Sequence, residues 1–330
     1  MKKIELNVTR GVNCFFSNLR DIVCYTIKHQ FREYEVFFLS NALDISYHPS
    51  SDQIADNFVV CSLTDSINML SEKLSLHYEY RENNRRDTFA QFIASCLYSE
   101  NPVLLTIDSK VLNYQIAPSY LDDVSAKHII LVYGVQDDTQ TFYAYDTYVY
   151  GESAGTISVY DISLDIAQII NNGVSAVCLY KKENGDPLPK CTIPYQKIFI
   201  EYLFAGSNKG IDAFRACIDD LDRLYNVEQL LAKQAIKELI YFFQIRYGFF
   251  YQYIEASLND QCRSTQTMRG IELIEETRQA WTRLNAKMVL STYVINHRII
   301  QRIQESAYIV YARQKELFQH LIKMHEPRKV

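Results

Sequence analysis

No apolar run in this 330-residue sequence reaches the ~18 residues that a bilayer-spanning helix requires. The nearest stretch, "LIYFFQIRYGFFYQYI", is interrupted by Arg246 and flanked by polar residues, and is expected to be a buried helix. The opening "MKKIELNVTR" has two lysines but then Glu5 and Asn7, so the apolar core of a signal peptide is missing. Eight cysteines, at 14, 24, 61, 96, 178, 191, 217 and 262, form no CxxC pair and no tight cluster with histidine. That argues against a zinc site or a disulfide framework and points to a reducing cytoplasm, where the Asn7-Val8-Thr9 glycosylation triplet has no meaning.

Several functional signatures are missing as well. The chain has no GxGxxG or GxxxxGK[ST] phosphate loop, no HExxH and no EF-hand loop, so neither an organic cofactor nor a metal is implied. Basic runs interleaved with aromatics are absent, and the net charge is −5. "RENNRRD" at 81–87 therefore reads as a charged loop, and nucleic acid is not an expected partner. Nothing points to the paired carboxylates of a glycosidase.

What is present is an ordinary globular composition, 48% hydrophobic and 22% charged, long enough for two domains. The two parts differ. Through residue 190 there are 15 basic and 24 acidic side chains, net −9; the rest has 19 and 15, net +4. Between them "KKENGDPLPK", residues 181–190, has the Gly and Pro of a linker. Boundaries of 1–183 and 184–330 follow. The basic excess of the second part would suit an acidic partner.

The first part alternates helical and strand-like patterns. "FFSNLRDIVCYTI" places Phe16, Leu19, Val23 and Ile27 on one helical face, and "EYEVFFLSNAL" suggests a second short helix. "DSINMLSEKL" and "DTFAQFIASCLY" read as helices, "LHYEY" and "PVLLTI" as strands. "KHIILVYGV" and "TFYAYDTYV" are β-rich and separated by the turn-prone "QDDTQ"; "GTISVYDISLDIAQII" reads as a strand followed by a helix. The class is α+β, with an antiparallel sheet late in the first domain. In the second part, Ile211, Phe214, Ile218, Leu221 and Leu224 have helical spacing. Helical stretches follow at about 227–258 and 268–322, the latter too long for one helix in a compact domain, so an all-α bundle is expected. Its Phe, Tyr and Met residues at helical spacing are expected in the core.

Cys14 stands out by position. Asn13 is a good N-cap, which makes Cys14 the first helical residue. Unpaired N–H groups and the helix dipole there stabilise a thiolate, and the same N–H groups suit the oxyanion of a tetrahedral intermediate. Cys24, ten residues on, has neither advantage.

A thiolate mechanism needs a base. His29 ends the first helix, His48 precedes a proline, His77 is in a strand, and His297, His320 and His325 lie in the helical part. His128 differs, because it enters the apolar strand "HIILVYGV". A hairpin centred on Asp137 pairs it with Asp146, with Cβ atoms roughly 5 Å apart. The carboxylate would then fix the imidazole tautomer. The argument depends on register, since a slip of one residue turns Asp146 to the other face.

"NCFFSNLRDIV", "EYEVFFLSNALDISY" and "HIILVYGVQDDTQTFYAYDT" resemble the butirosin biosynthesis protein H N-terminal family, whose fold is papain-like, of the bacteriocin-leader-peptidase type. "GIDAFRACIDDL", "RYGFFYQYIEA" and "AWTRLNAKM" are similar to the helical domain that often follows in such proteins. The resemblance implies Cys14 as nucleophile, His128 as base and Asp146 as orienting acid. It also implies acyl transfer from an acyl or peptidyl carrier protein thioester to a small-molecule amine in antibiotic biosynthesis. Two features depart from the pattern. "SNALDISY" stands where relatives often have a glycine-rich stretch, and Val8 stands where papain-like enzymes place the oxyanion-hole glutamine. Either the adjacent Asn7 substitutes or backbone donors act alone. Two alternatives keep the same residues: a peptidase, amidase or thioesterase with water as acceptor, and a noncatalytic binding or scaffold protein that retains the fold.

Overall fold

The computed structural model describes residues 1–42, 44–50, 57–112, 127–138, 140–148, 159–182, 200–206, 209–226, 236, 248–254, 256, 265–294 and 296–325. An antiparallel-sheet region comes first and a helical region follows, so the class is α+β. The expected linker at 181–190 lies, from residue 183 onward, outside the described residues, as does most of the helical stretch expected at 227–258. Two compact units are present: Met1–Asn41 with Ser62–Cys191, and Ala42–Cys61 with Thr192–Val330.

The first unit holds strands β1 (Lys2–Lys3), β4 (Leu76–Glu82), β5 (Val103–Asp108), β6 (Lys127–Gln136), β7 (Thr141–Asp146), β8 (Tyr160–Asp165) and β9 (Gly173–Lys181). All pair antiparallel in the order β4-β9-β5-β6-β7-β8, and β1 pairs with β6. Helices α1 (Cys14–Ile27), α2 (Glu33–Leu39), α3 (Leu63–Lys73), α4 (Arg86–Tyr98) and α5 (Ile166–Asn172) belong to the same unit. The expected helices and strands of this part are all found. The charged stretch at 81–87 is mostly secondary structure rather than loop, because β4 runs to Glu82 and α4 starts at Arg86.

Strand β9 was not anticipated, although it lies between β4 and β5 inside the sheet. Its start depends on Gly173: a Cβ there would meet the Ile169 carbonyl oxygen at 2.5 Å and the Phe89 ring at 2.8 Å. Only glycine lets α5 turn directly into a strand under α4.

The core of this unit packs Phe89, Ile93 and Leu97 of α4 and Ile169 of α5 on alternate strand residues such as Leu105, Ile130, Val132 and Ala176. The intervening Leu104, Leu131, Val177 and Leu179 are buried too, and α1 packs against β5, β6 and β9. Burial on both faces explains why "HIILVYGV" reads as a continuous apolar run rather than an alternation. On α1, Leu19, Ile22 and Val23 are fully buried, and Phe16 and Ile27 nearly so.

The second unit is not wholly helical. Its segment from 42 to 61 contributes the two-stranded sheet β2 (Ile45–Tyr47) and β3 (Phe58–Val60), joined to the helix Ile211–Asp220 by a Tyr47–Asp220 hydrogen bond of 2.6 Å. The expected long stretch is two helices, Thr265–Tyr293 and His297–His325, folded against each other. Arg269–Glu316 and Arg313–Glu276 pairs, at 2.9 and 2.8 Å, join them. Phe214 stacks on Trp281 with ring centroids 5.9 Å apart, and Phe249, Phe250 and Phe318 are buried, which makes these aromatics core residues. Among the described residues no helix is long and apolar enough to cross a membrane.

Candidate active site

Helix α1 begins where its cap dictates. Asn13 has extended backbone, and its side-chain oxygen accepts from the N–H groups of Phe15 (2.9 Å) and Phe16 (3.1 Å). Its carbonyl accepts from Ser17 N–H at 3.0 Å and Ser17 Oγ at 2.6 Å. Cys14 is therefore the first helical residue, with its side chain buried. The Cys14 N–H has no acceptor among the described residues, so one oriented donor at the positive end of the helix is left over.

Strands β6 and β7 supply the other two groups. His128 Nε2 lies 2.8 Å from Asp146 Oδ2, with both side chains fully buried. The carboxylate also accepts from Tyr148 N–H at 3.1 Å, which fixes its second oxygen. His128 also interacts with the Cys14 sulfur. Burial works against a charged imidazole. Interaction with the Cys14 sulfur, and the Nε2–H hydrogen bond to the Asp146 carboxylate with its charge, outweigh it and raise the His128 pKa from 6.5 to about 10.

The hairpin reaches this contact by a different register from the one expected. Direct opposition of 128 and 146 is not what forms, because Leu131 pairs with Tyr145 and Val132 with Ala144. That register puts Asp146 opposite Ile130, and His128 reaches it as a diagonal neighbour on the same face. Beyond Val132 the register shifts at Tyr133, so that Gly134 pairs with Tyr143. The extra residue is a β-bulge that a pattern of apolar residues does not reveal.

The loop in front of Cys14 is held by residues the sequence analysis passed over. Buried Glu33, the first residue of α2, accepts from Val12 N–H (2.9 and 3.2 Å) and Asn13 N–H (3.0 Å). Arg20, paired with Asp21 at 2.7 Å, donates to the Thr9 and Arg10 carbonyls, and Asp21 accepts from Thr9 N–H at 3.3 Å. Asn18 ties helix to strand by donating to the carbonyls of Cys14 (2.7 Å) and Ile129 (2.8 Å). Thr147 hydrogen-bonds Ser17 and Asn18 through its hydroxyl, and its carbonyl accepts from Gly11 N–H at 3.0 Å. Asn7 is exposed and Val8 half-buried.

The remaining histidines lie elsewhere: His29 meets Phe31 edge to face, His48 bonds Ser46, His77 is exposed at the start of β4, and His320 bonds the Gln266 carbonyl. Cys24 sits near the far end of α1, where Phe31 N–H donates to its sulfur at 3.1 Å and burial pushes its pKa up.

No curated protein matches the chain. Residues 13–147, from the N-cap before Cys14 to the residue after Asp146, match the butirosin biosynthesis protein H, N-terminal family, a family named for antibiotic biosynthesis.

Proposed function

We propose that this protein is a cysteine-dependent acyltransferase of secondary-metabolite biosynthesis, with Cys14 as nucleophile, His128 as general base and Asp146 as the group that orients the imidazole. The observation that carries the reading is the convergence of a helix-N1 cysteine on a buried His–Asp pair, within a segment matching an antibiotic-biosynthesis family. The acyl donor is a carrier-protein thioester and the acceptor a small-molecule amine.

In this mechanism Asp146 holds Nε2–H, so Nδ1 takes the thiol proton of Cys14. The thiolate adds to the thioester carbonyl, and the developing oxyanion is met by the Cys14 N–H. Collapse expels the carrier thiol, which leaves with the proton from His128, and a thioester to Cys14 remains. The amine then attacks, passes a proton to His128, and releases the amide and the Cys14 sulfur. Splitting the transfer into two steps suits sulfur, a good nucleophile and a good leaving group.

The test is incubation with an acyl-pantetheine thioester, read by mass spectrometry of the Cys14 peptide and of small products, with and without a primary amine. A Cys14 acyl adduct whose product shifts from free acid to amide as the amine rises is the expected result. Free acid alone at saturating amine would make the protein a hydrolase, and no adduct would remove the catalytic reading.

A further inference from the structure

Of the backbone N–H groups from Val12 to Ser17, five already have acceptors. Glu33 takes Val12 and Asn13, the Asn13 side chain takes Phe15 and Phe16, and the Asn13 carbonyl takes Ser17. Cys14 N–H alone has none among the described residues. A buried carboxylate set on two loop amides is a costly device for ordering a loop, because its desolvation has to be offset by such bonds and by nearby positive charge. Arg20 is close enough to feel that charge. Space has been cleared for it: a Cβ on Gly11 would lie 2.7 and 2.8 Å from the two Glu33 oxygens and 2.2 Å from Ser17 Cβ.

We propose that Glu33 is a positioning residue for acyl transfer: by clamping the Val12 and Asn13 amides it fixes the two peptide planes that lead into the Asn13–Cys14 peptide, and so the direction in which the Cys14 N–H meets the oxyanion. It acts through the backbone and touches no reacting atom. Glu33 is on α2, so the clamp ties the nucleophile loop to a second helix rather than to α1 itself. The inference rests on the reading of Cys14 as an acyl-accepting nucleophile.

Two reagents separate aim from activation. Alkylation by iodoacetamide needs the thiolate but passes through no oxyanion. Acetylation by p-nitrophenyl acetate adds the thiolate to a carbonyl, forms an oxyanion, then expels p-nitrophenolate to leave a thioester on Cys14. Both rates are measured at Cys14 by peptide mass spectrometry in wild type, Glu33→Ala and Glu33→Gln, with a thermal melt on each. Glu33→Ala is expected to slow acetylation roughly 30- to 100-fold, somewhat less than outright loss of an oxyanion donor, with alkylation within about threefold of wild type. Glu33→Gln retains one oxygen but sets an NH2 against one amide, and is expected to fall between. It carries the test if the alanine variant does not fold. Unchanged acetylation, or a parallel fall of both rates, overturns the proposal while leaving the nucleophile reading intact. A wild-type Cys14 inert to both reagents overturns that reading, and the proposal with it.

Discussion

The two ends of α1 each hold a cysteine, and they make opposite use of it. At the N-terminal end Cys14 meets a buried imidazole backed by a carboxylate, and its own N–H has no acceptor among the described residues. Toward the C-terminal end Cys24 accepts a backbone N–H from Phe31 and has Asp21 and Glu35 for neighbours; burial and those negative charges push its thiol up, against that hydrogen bond and Arg20. Residue type and helix are the same. What differs is the end of the helix dipole that each sulfur faces and the sign of its nearest charge, and under the proposed function these separate a nucleophile from a packing group.

The largest break of this contrast comes from exchanging the sulfurs for oxygens. Cys14→Ser is expected to lower acyl transfer by at least about 10³-fold, because a hydroxyl is a far weaker nucleophile at neutral pH, whereas Cys24→Ser should stay within about twofold. Steady-state rates on an acyl-pantetheine thioester check both. His128→Ala should slow Cys14 alkylation at pH 6 by roughly 10²-fold and also destabilise the fold by about 3 kcal/mol, since it takes the imidazole away from the buried Asp146 carboxylate. Denaturant melts read the second effect. Asp146→Asn keeps the volume but loses the charge facing the imidazole, and a smaller loss of activity, on the order of tenfold to 10²-fold, is expected.

A pH experiment sharpens the contrast. Folded His128 keeps its proton up to about 10, against 6.5 for an ordinary imidazole. The stability this contributes is complete below pH 6.5 and is lost as pH rises through about 10. Wild-type melting temperature should therefore decline across that window more than that of His128→Gln. In Cys14→Ser the sulfur charge that helps hold the proton is gone, so the decline should begin at lower pH. The smallest effect is expected from Thr147→Ala, which removes a hydroxyl partner from Ser17 and Asn18 at a cost of about 1 kcal/mol.

Local signals were legible in the sequence. The Asn13 cap, the helical face of Phe16, Leu19, Val23 and Ile27, and the β-branched runs of β6 and β7 each act within a few residues, and each is found where expected. His128 and Asp146 meet although the register that predicted their meeting was wrong by two residues. A shift of two preserves the face, and only an odd shift would have separated them. Glu33 was not legible. An acid in the first turn of a helix is ordinary, and nothing near it in sequence tells that its carboxylate turns to amides twenty residues earlier. Arg20, Asp21 and Thr147 were hidden for the same reason, because bonds between segments distant in sequence leave no period to detect. The β2–β3 pair was missed because three-residue strands are too short to show alternation.

The account stands most directly on the coupling of Cys14 to His128, and the alkylation rate of Cys14 from pH 4 to 9, in wild type and His128→Ala, measures it. Rapid reaction well below the ~8.5 of a free thiol, lost in His128→Ala while Cys24 is unaffected, is the predicted result. A Cys14 that reacts no faster than Cys24 in either protein, or whose profile is untouched by the loss of His128, would contradict it.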